Sequence, residues 1–261
     1  MLALAAALIA GGLAVGPQPA EAATARKVVI VVGPAGSSTA DYIANARALA
    51  AQARSYGAAV YEIYTPNATW TRVRDTAQGA HVLIYLGHGN GWPSPYGPFQ
   101  TRTKDGFGLN AIAGRGNYNT QYWGEDYIAR YIRLAPYAVV ILNRLCYASG
   151  NSEGGRPNPT RSVAIQRADN YAAGFLRTGA KAVFAEGLGK ADYVLYGLFR
   201  TQKTMAQIFW SARNVSGRYH FAFTSARTPG ARALMDPYAP GRYYRSLTGW
   251  PAMTTATWRS G

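Results

Sequence analysis

The feature that most constrains the fold is the alternation of short, continuously apolar segments with longer segments of helical periodicity. The apolar segments cover residues 27–32, 58–64, 81–86, 138–142 and 180–185. Runs of this kind are typical of strands that are buried on both faces of a sheet. Helical patterns cover residues 37–56, 69–77, 122–134, 161–177 and 191–213. This β-α-β order predicts an α/β fold, a three-layer sandwich with a mostly parallel central sheet.

The N-terminal residues read as a targeting segment. Leu2 to Val15 form an apolar run, and Ala20-Glu21-Ala22 is a small-x-small cleavage pattern. We therefore expect residues 1–22 to be a secretory signal peptide, although no Lys or Arg precedes the run and an uncleaved anchor is the alternative. Residues 23–261 are then expected to form a single α/β domain with a turn-rich C-terminal segment. No later stretch is apolar enough to span a bilayer, so we expect a secreted or cell-envelope protein.

Composition narrows the classes of partner and cofactor. The chain has 27 Lys+Arg against 12 Asp+Glu, a net charge of +15. Loss of the negative charge of Glu21 with the signal peptide would raise the net charge to +16. A basic surface favours anionic partners such as cell-envelope polymers, but a merely solvated basic face is the alternative. The sequence contains no motif for specific nucleic-acid binding. One cysteine and three histidines argue against a disulfide framework and a metal site, so we expect no metal and no cofactor.

Two reactive side chains follow consecutive strands of the predicted sheet. The third strand ends in Gly87-His88-Gly89, and the fourth strand is followed by Cys146. Ligands of parallel sheets bind beyond the carboxyl ends of the strands, and neighbouring strands lie about 5 Å apart. If these two strands are neighbours, an imidazole and a thiol face one cleft. That pair can carry out nucleophilic attack, because the imidazole takes the thiol proton and the thiolate attacks a carbonyl carbon.

This arrangement resembles the caspase-like cysteine peptidases of clan CD, in which one core strand ends in His-Gly and the next ends in the nucleophilic Cys. The gingipain-like and legumain-like branch is the most similar. The resemblance covers residues 26–187 and implies a caspase-like fold with His88 and Cys146 as the catalytic dyad. It also implies that the backbone N–H groups of Gly89 and Cys146 form the oxyanion hole. Arg144-Leu145 departs from the family, where Ala usually precedes the nucleophile.

Three acidic residues are candidates for a substrate pocket. Glu186 ends the fifth strand, where its carboxylate can pair with a basic substrate side chain, and a surface or helix-capping role is the alternative. Asp105 and Asp192 are further candidates of the same kind. The loop over residues 92–122 is rich in Trp, Tyr and Gly, and either forms a substrate wall or packs on the core.

These residues favour one function and leave others open. The leading hypothesis is a secreted cysteine endopeptidase that acts on a peptide or protein substrate through Cys146 and His88. A non-catalytic caspase-like module that binds anionic cell-envelope polymers is the alternative, with Cys146 a buried structural thiol and His88 a turn histidine bonded to backbone. An amidase or transpeptidase with the same dyad is a third possibility, which only product analysis separates from a peptidase.

Overall fold

The computed structural model describes residues 25–261, so the predicted signal peptide at residues 1–22 lies outside the described residues. The strands are β1 (Lys27–Val32), β2 (Ala59–Tyr64), β3 (Val82–Leu86), β4 (Phe107–Asn110), β5 (Thr120–Trp123), β6 (Val139–Asn143), β7 (Ala182–Glu186), β8 (Phe221–Thr224), β9 (Arg232–Met235) and β10 (Arg245–Gly249). The helices are α1 (Thr39–Ser55), α2 (Trp70–Ala77), α3 (Glu125–Tyr131), α4 (Arg161–Leu176), α5 (Asp192–Arg200), α6 (Met205–Phe209) and α7 (Thr255–Ser260).

The central sheet has eight strands in the order β2-β1-β3-β6-β7-β10-β9-β8. The first five strands of this order pair in parallel, and β10, β9 and β8 extend the sheet by antiparallel pairing. The prediction of an α/β fold with a mostly parallel sheet is therefore confirmed. The β3–β6 pairing also makes the strands before His88 and Cys146 direct neighbours.

Both faces of the sheet are covered, which explains the continuous apolar strands. On one face, Val29, Leu83 and Val140 pack with side chains of α2, α3 and α4. On the other, alternate strand residues such as Ile30 and Ile141 pack with α1, α5, α6 and α7. Side chains alternate between the faces of a strand, so a strand with two covered faces is apolar at most of its positions.

Two predicted elements differ from the structure. The helix predicted at 122–134 is shorter, because its first residues belong to β5, which pairs with β4 as an antiparallel hairpin inside the predicted loop. The helix predicted at 191–213 is two helices. Thr204 caps the second of them, with its hydroxyl accepting from the backbone N–H of Gln207 and the Gln207 side chain accepting from the backbone of Thr204. Such a capping box starts a new helix and so ends the periodicity of the preceding one.

In residues 25–261 no helix has the length and apolar character that a bilayer crossing requires. The same residues hold no cluster of three or more His, Cys, Asp or Glu side chains that could bind a metal ion.

Candidate active site

The loops that follow β3 and β6 are in direct contact at the carboxyl edge of the sheet. The strands end in register, with Leu86 opposite Asn143. A Cβ atom placed on Gly89 would lie 2.0 Å from the carbonyl oxygen of Cys146 and 3.1 Å from its nitrogen. No side chain fits at that distance, so a glycine after His88 is what allows the two backbones to approach. The loop that carries His88 therefore packs on the backbone of Cys146 itself.

The chain around Cys146 is held by specific hydrogen bonds. The buried side chain of Asn143 accepts from Asn45 of α1 at 2.8 Å and donates to the carbonyls of Glu186 and Gly189 at 3.1 and 2.9 Å. It thereby links the ends of β6 and β7 with α1. The backbone N–H of Arg144 donates to the carbonyl of Glu186 at 2.7 Å, which extends the pairing of β6 and β7 by one residue.

Two residues that flank Cys146 have left-handed backbone conformations. Arg144 has φ +60° and Tyr147 has φ +70°. Side chains rarely adopt this region, at a cost of roughly 1–3 kcal/mol each, and such residues cluster at functional sites. Cys146 thus lies in a sharply bent segment whose conformation is imposed by the surrounding contacts.

Cys146 lines an open cleft with a volume of about 390 Å³. Its thiol is free and half-buried, and one side of the residue packs on the apolar core. The other cleft residues come from α1, from the loop after Cys146, from the end of β7 and from the tail: Tyr42, Arg144, Leu145, Asn151, Ser152, Glu153, Gly154, Gly155, Arg156, Asn158, Gly187, Leu188, Gly241 and Tyr244. The sulfur is therefore neither sealed in hydrocarbon nor fully exposed.

His88 is exposed, and among residues 25–261 it is not one of those that line this cleft. Its carbonyl accepts from the hydroxyl of Tyr85 at 3.0 Å, which fixes the backbone. Within the described part of the chain, its imidazole makes no hydrogen bond, either to Cys146 or to backbone. Catalytic hydrogen bonds are commonly long or poorly aligned in the absence of substrate.

The two backbone N–H groups expected in the oxyanion hole are available. In residues 25–261, neither the amide of Gly89 nor that of Cys146 donates to another protein group, as is also the case for most amides of these two loops. Unpaired amides beside a nucleophile are the donors that stabilise a developing oxyanion.

Glu153 is a residue that the sequence analysis did not single out. It lies in the cleft, half-buried, and its carboxylate accepts from the hydroxyl of Tyr96 at 2.5 Å and from Nε of Arg156 at 2.9 Å. Its only sequence signal is that it is the one acidic residue in the Gly/Asn/Pro loop after Cys146.

The charge of Glu153 acts on both reactive groups. Burial raises the pKa of the Cys146 thiol, and the negative charge of Glu153 raises it further. Desolvation lowers the pKa of His88, whereas Glu153 opposes that shift. A raised thiol pKa and a lowered imidazole pKa favour two neutral groups at rest. In that state the thiol needs a base before it can attack.

The three acidic pocket candidates lie elsewhere. Glu186 is buried and accepts from Nε of Arg245 at 3.0 Å and from the hydroxyl of Tyr193 at 2.5 Å. Burial raises its pKa, and Arg245 opposes that shift. Asp105 is buried beneath the loop that follows β3, where it accepts from the backbone N–H of Trp92 at 3.0 Å. Asp192 is half-buried at the start of α5. None of the three lines the cleft beside Cys146, within the described residues.

In the long loop after β3, Tyr96 contacts the cleft through its hydrogen bond to Glu153. Nζ of the buried Lys104 donates to the Asn90 side chain, the Ser94 hydroxyl and the carbonyl of Tyr96, at 2.7–3.0 Å. These three hydrogen bonds hold the loop in one conformation, in which the hydroxyl of Tyr96 donates to Glu153. Within the predicted substrate wall, β4 packs on the core and bonds to the hydroxyl of Tyr85 through Gly108, whereas Phe99, Ile112 and Tyr118 are exposed.

Comparison of the chain with known protein families and with curated proteins finds no match.

Proposed function

We propose that this protein is a caspase-like cysteine endopeptidase in which Cys146 is the nucleophile and His88 the general base. The observation that carries the proposal is the packing of Gly89 on the backbone of Cys146 beside an open cleft. This contact sets the histidine loop and the cysteine loop at a fixed separation. The amides of Gly89 and Cys146 also have no protein acceptor within residues 25–261.

The chemistry follows from the resting charge states. The imidazole of His88 rotates toward Cys146 and accepts the thiol proton, and the thiolate attacks the carbonyl carbon of the substrate. The negative charge that develops on the carbonyl oxygen is stabilised by the N–H groups of Gly89 and Cys146. The imidazolium then gives its proton to the leaving amine, and water hydrolyses the thioester. Transfer to an amine instead of water would make the same site a transpeptidase.

The test is hydrolysis of a denatured protein substrate by the purified full chain, with fragments identified by mass spectrometry. The wild-type chain is expected to cleave it, and Cys146→Ala and His88→Ala are expected to lose at least a hundredfold in rate, in line with the effects of general-base removal. Equal cleavage by the wild type and both variants would overturn the proposal.

A second candidate function is binding of an anionic cell-envelope polymer by a non-catalytic module. The observation that favours it is that the thiol and imidazole are not hydrogen-bonded to each other in the described residues, while the pKa of the thiol is raised. The excess of Lys and Arg over Asp and Glu supplies the attraction. Salt-sensitive binding of a teichoic-acid-type polyanion that survives Cys146→Ala, with no hydrolysis by the wild type, would select this function.

A further inference from the structure

A second cavity lies at the edge of the sheet opposite to Cys146. Its volume is about 450 Å³, which falls in the range of small-molecule sites, roughly 300–1,000 Å³. Lys181 directly precedes β7, and Trp250 directly follows β10, which pairs antiparallel with β7. The five residues of β7, at about 3.3 Å each, therefore separate this cavity from the cleft beside Cys146. Within residues 25–261 the two cavities share no lining residue.

Most of the wall of this second cavity is apolar. The lining comes from the segments before β6 and β7, from the start of β9, from the segment after β10 and from α7: Tyr137, Lys181, Gly230, Arg232, Trp250, Pro251, Ala252, Met253 and Thr257. Trp250 and Pro251 are half-buried, whereas Tyr137 is exposed. Tyr137 also has φ +61°, a region that a bulky residue rarely adopts, and strained residues of this kind cluster at functional sites. The cavity therefore offers an apolar surface to a ligand.

Two cations lie at this apolar wall and have no acidic partner. Nζ of Lys181 lies 4.2 Å from the centroid of the Trp250 ring, so the ammonium is held over the face of the ring. Arg232 is exposed at the start of β9. In the described part of the chain, neither side chain forms an ion pair, and no Asp or Glu lines the cavity. Uncompensated positive charge beside apolar surface is complementary to an amphiphile with an anionic head group.

We propose that this cavity binds a fatty acid, a single acyl chain with a carboxylate head group. The chain covers Trp250, Pro251 and Met253, and the carboxylate accepts hydrogen bonds from Lys181 and Arg232. A guanidinium presents a planar fork of N–H donors that matches a carboxylate, and the ammonium adds a point charge. A single chain fits better than a bilayer surface, because the apolar residues line a cavity rather than a protruding patch. This site goes beyond the proposed peptidase function and does not depend on it.

The experiment is isothermal titration calorimetry of the full chain with decanoate, and with decanol as the uncharged ligand of the same chain length, both below the concentration at which decanoate forms micelles. We expect saturable binding of decanoate and binding of decanol that is weaker by about tenfold or more, because decanol lacks the charge-assisted hydrogen bonds. Equal affinities, or no saturable binding of decanoate, would overturn the inference. Binding of phosphatidylglycerol vesicles without binding of decanoate would also overturn it and indicate a bilayer surface instead.

Three variants locate the site. The double variant Lys181→Gln with Arg232→Gln should weaken decanoate binding by about tenfold or more and leave decanol binding unchanged. Ala252→Glu adds a negative charge at an exposed position of the cavity wall and should also weaken decanoate binding. Lys190→Gln is the matched control, because Lys190 is an exposed lysine in the loop after β7, at the other edge of the sheet. Decanoate affinity that is unchanged in the double variant, or that falls equally in Lys190→Gln, would overturn the inference.

Discussion

Gly89 packs its Cα atom against the carbonyl of Cys146, close enough that a Cβ atom would lie 2.0 Å from that oxygen. This contact joins two loops that leave neighbouring parallel strands. It makes the separation of His88 from Cys146 a property of backbone packing, which is more rigid than side-chain contact alone.

Gly89→Ala should separate the two loops. A methyl group cannot be accommodated 2.0 Å from a backbone oxygen, so the histidine loop has to move away from Cys146. We expect peptidase activity to fall at least tenfold, measured as the rate of peptide hydrolysis. Gly154→Ala is the matched control, because Gly154 lines the same cleft and a Cβ there meets no atom within 4 Å. Equal activity of both variants would contradict the role given to this contact.

Glu153→Gln should make the thiol more reactive. The carboxylate raises the pKa of Cys146, so removing its charge lowers that pKa and increases the thiolate fraction below it. We expect faster alkylation of Cys146 by iodoacetamide near pH 7, and no difference at pH values above the thiol pKa. Asp75→Asn removes a charge from an exposed helix position and should leave the alkylation rate unchanged. An unchanged rate in Glu153→Gln would show that the carboxylate does not act on the thiol.

Asp105 should make stability fall with rising pH. Burial raises the pKa of its carboxyl to about 8, well above the ordinary value for an aspartate. Its contribution is therefore fully present below about pH 4 and is lost as the pH rises through 8, at a slope of at most about 1.4 kcal/mol per pH unit. Urea unfolding between pH 5 and 9 measures this slope, and Asp105→Asn should reduce it. Asparagine also tolerates the residue's φ of +61°. An equal slope in both proteins would contradict the assignment.

Glu186→Gln should affect stability rather than substrate choice. Glu186 and Asp236 both bind the buried Arg245, so the neutral variant leaves this arginine with one carboxylate. Loss of one charge-assisted hydrogen bond to a buried arginine costs about 1.5–3 kcal/mol, which urea unfolding would detect. The preference for the residue next to the cleaved bond should not change. A loss of cleavage after basic residues, without loss of stability, would restore Glu186 to the substrate pocket.

The five parallel strands and their carboxyl ends could be predicted from the sequence, because short continuous apolar runs are typical of strands covered on both faces. Their order in the sheet could not be predicted, because it depends on contacts between segments distant in the chain. The positions of His88 and Cys146 after two of these strands followed from the same pattern, whereas the pairing of these strands as neighbours is shown by the structure. The hairpin of β4 and β5 could not be predicted, because its strands are four residues each and lie among glycines. Their pairing depends on Tyr85, a residue of β3 that is distant in the chain.

The charged residues of the site were less predictable than its position. Glu186 is the last residue of a strand, where an active-site acid is expected, but its role depends on Arg245, which approaches from β10. Glu153 and Arg144 lie in irregular segments with no periodicity. Whether such a charge is paired or free depends on residues that only the folded chain brings close, such as Tyr96 and Arg156 for Glu153.

The most direct test of the central claim is covalent trapping of Cys146 by a peptidyl acyloxymethyl ketone. This electrophile reacts with a thiol that a neighbouring imidazole activates, and mass spectrometry of tryptic fragments identifies the modified residue. We predict stoichiometric modification of Cys146 in the wild-type chain and at least a hundredfold slower modification in His88→Ala, with iodoacetamide still reacting in both proteins. An equal trapping rate in the wild type and His88→Ala, or no trapping in either, would contradict the assignment of His88 and Cys146 as a catalytic dyad.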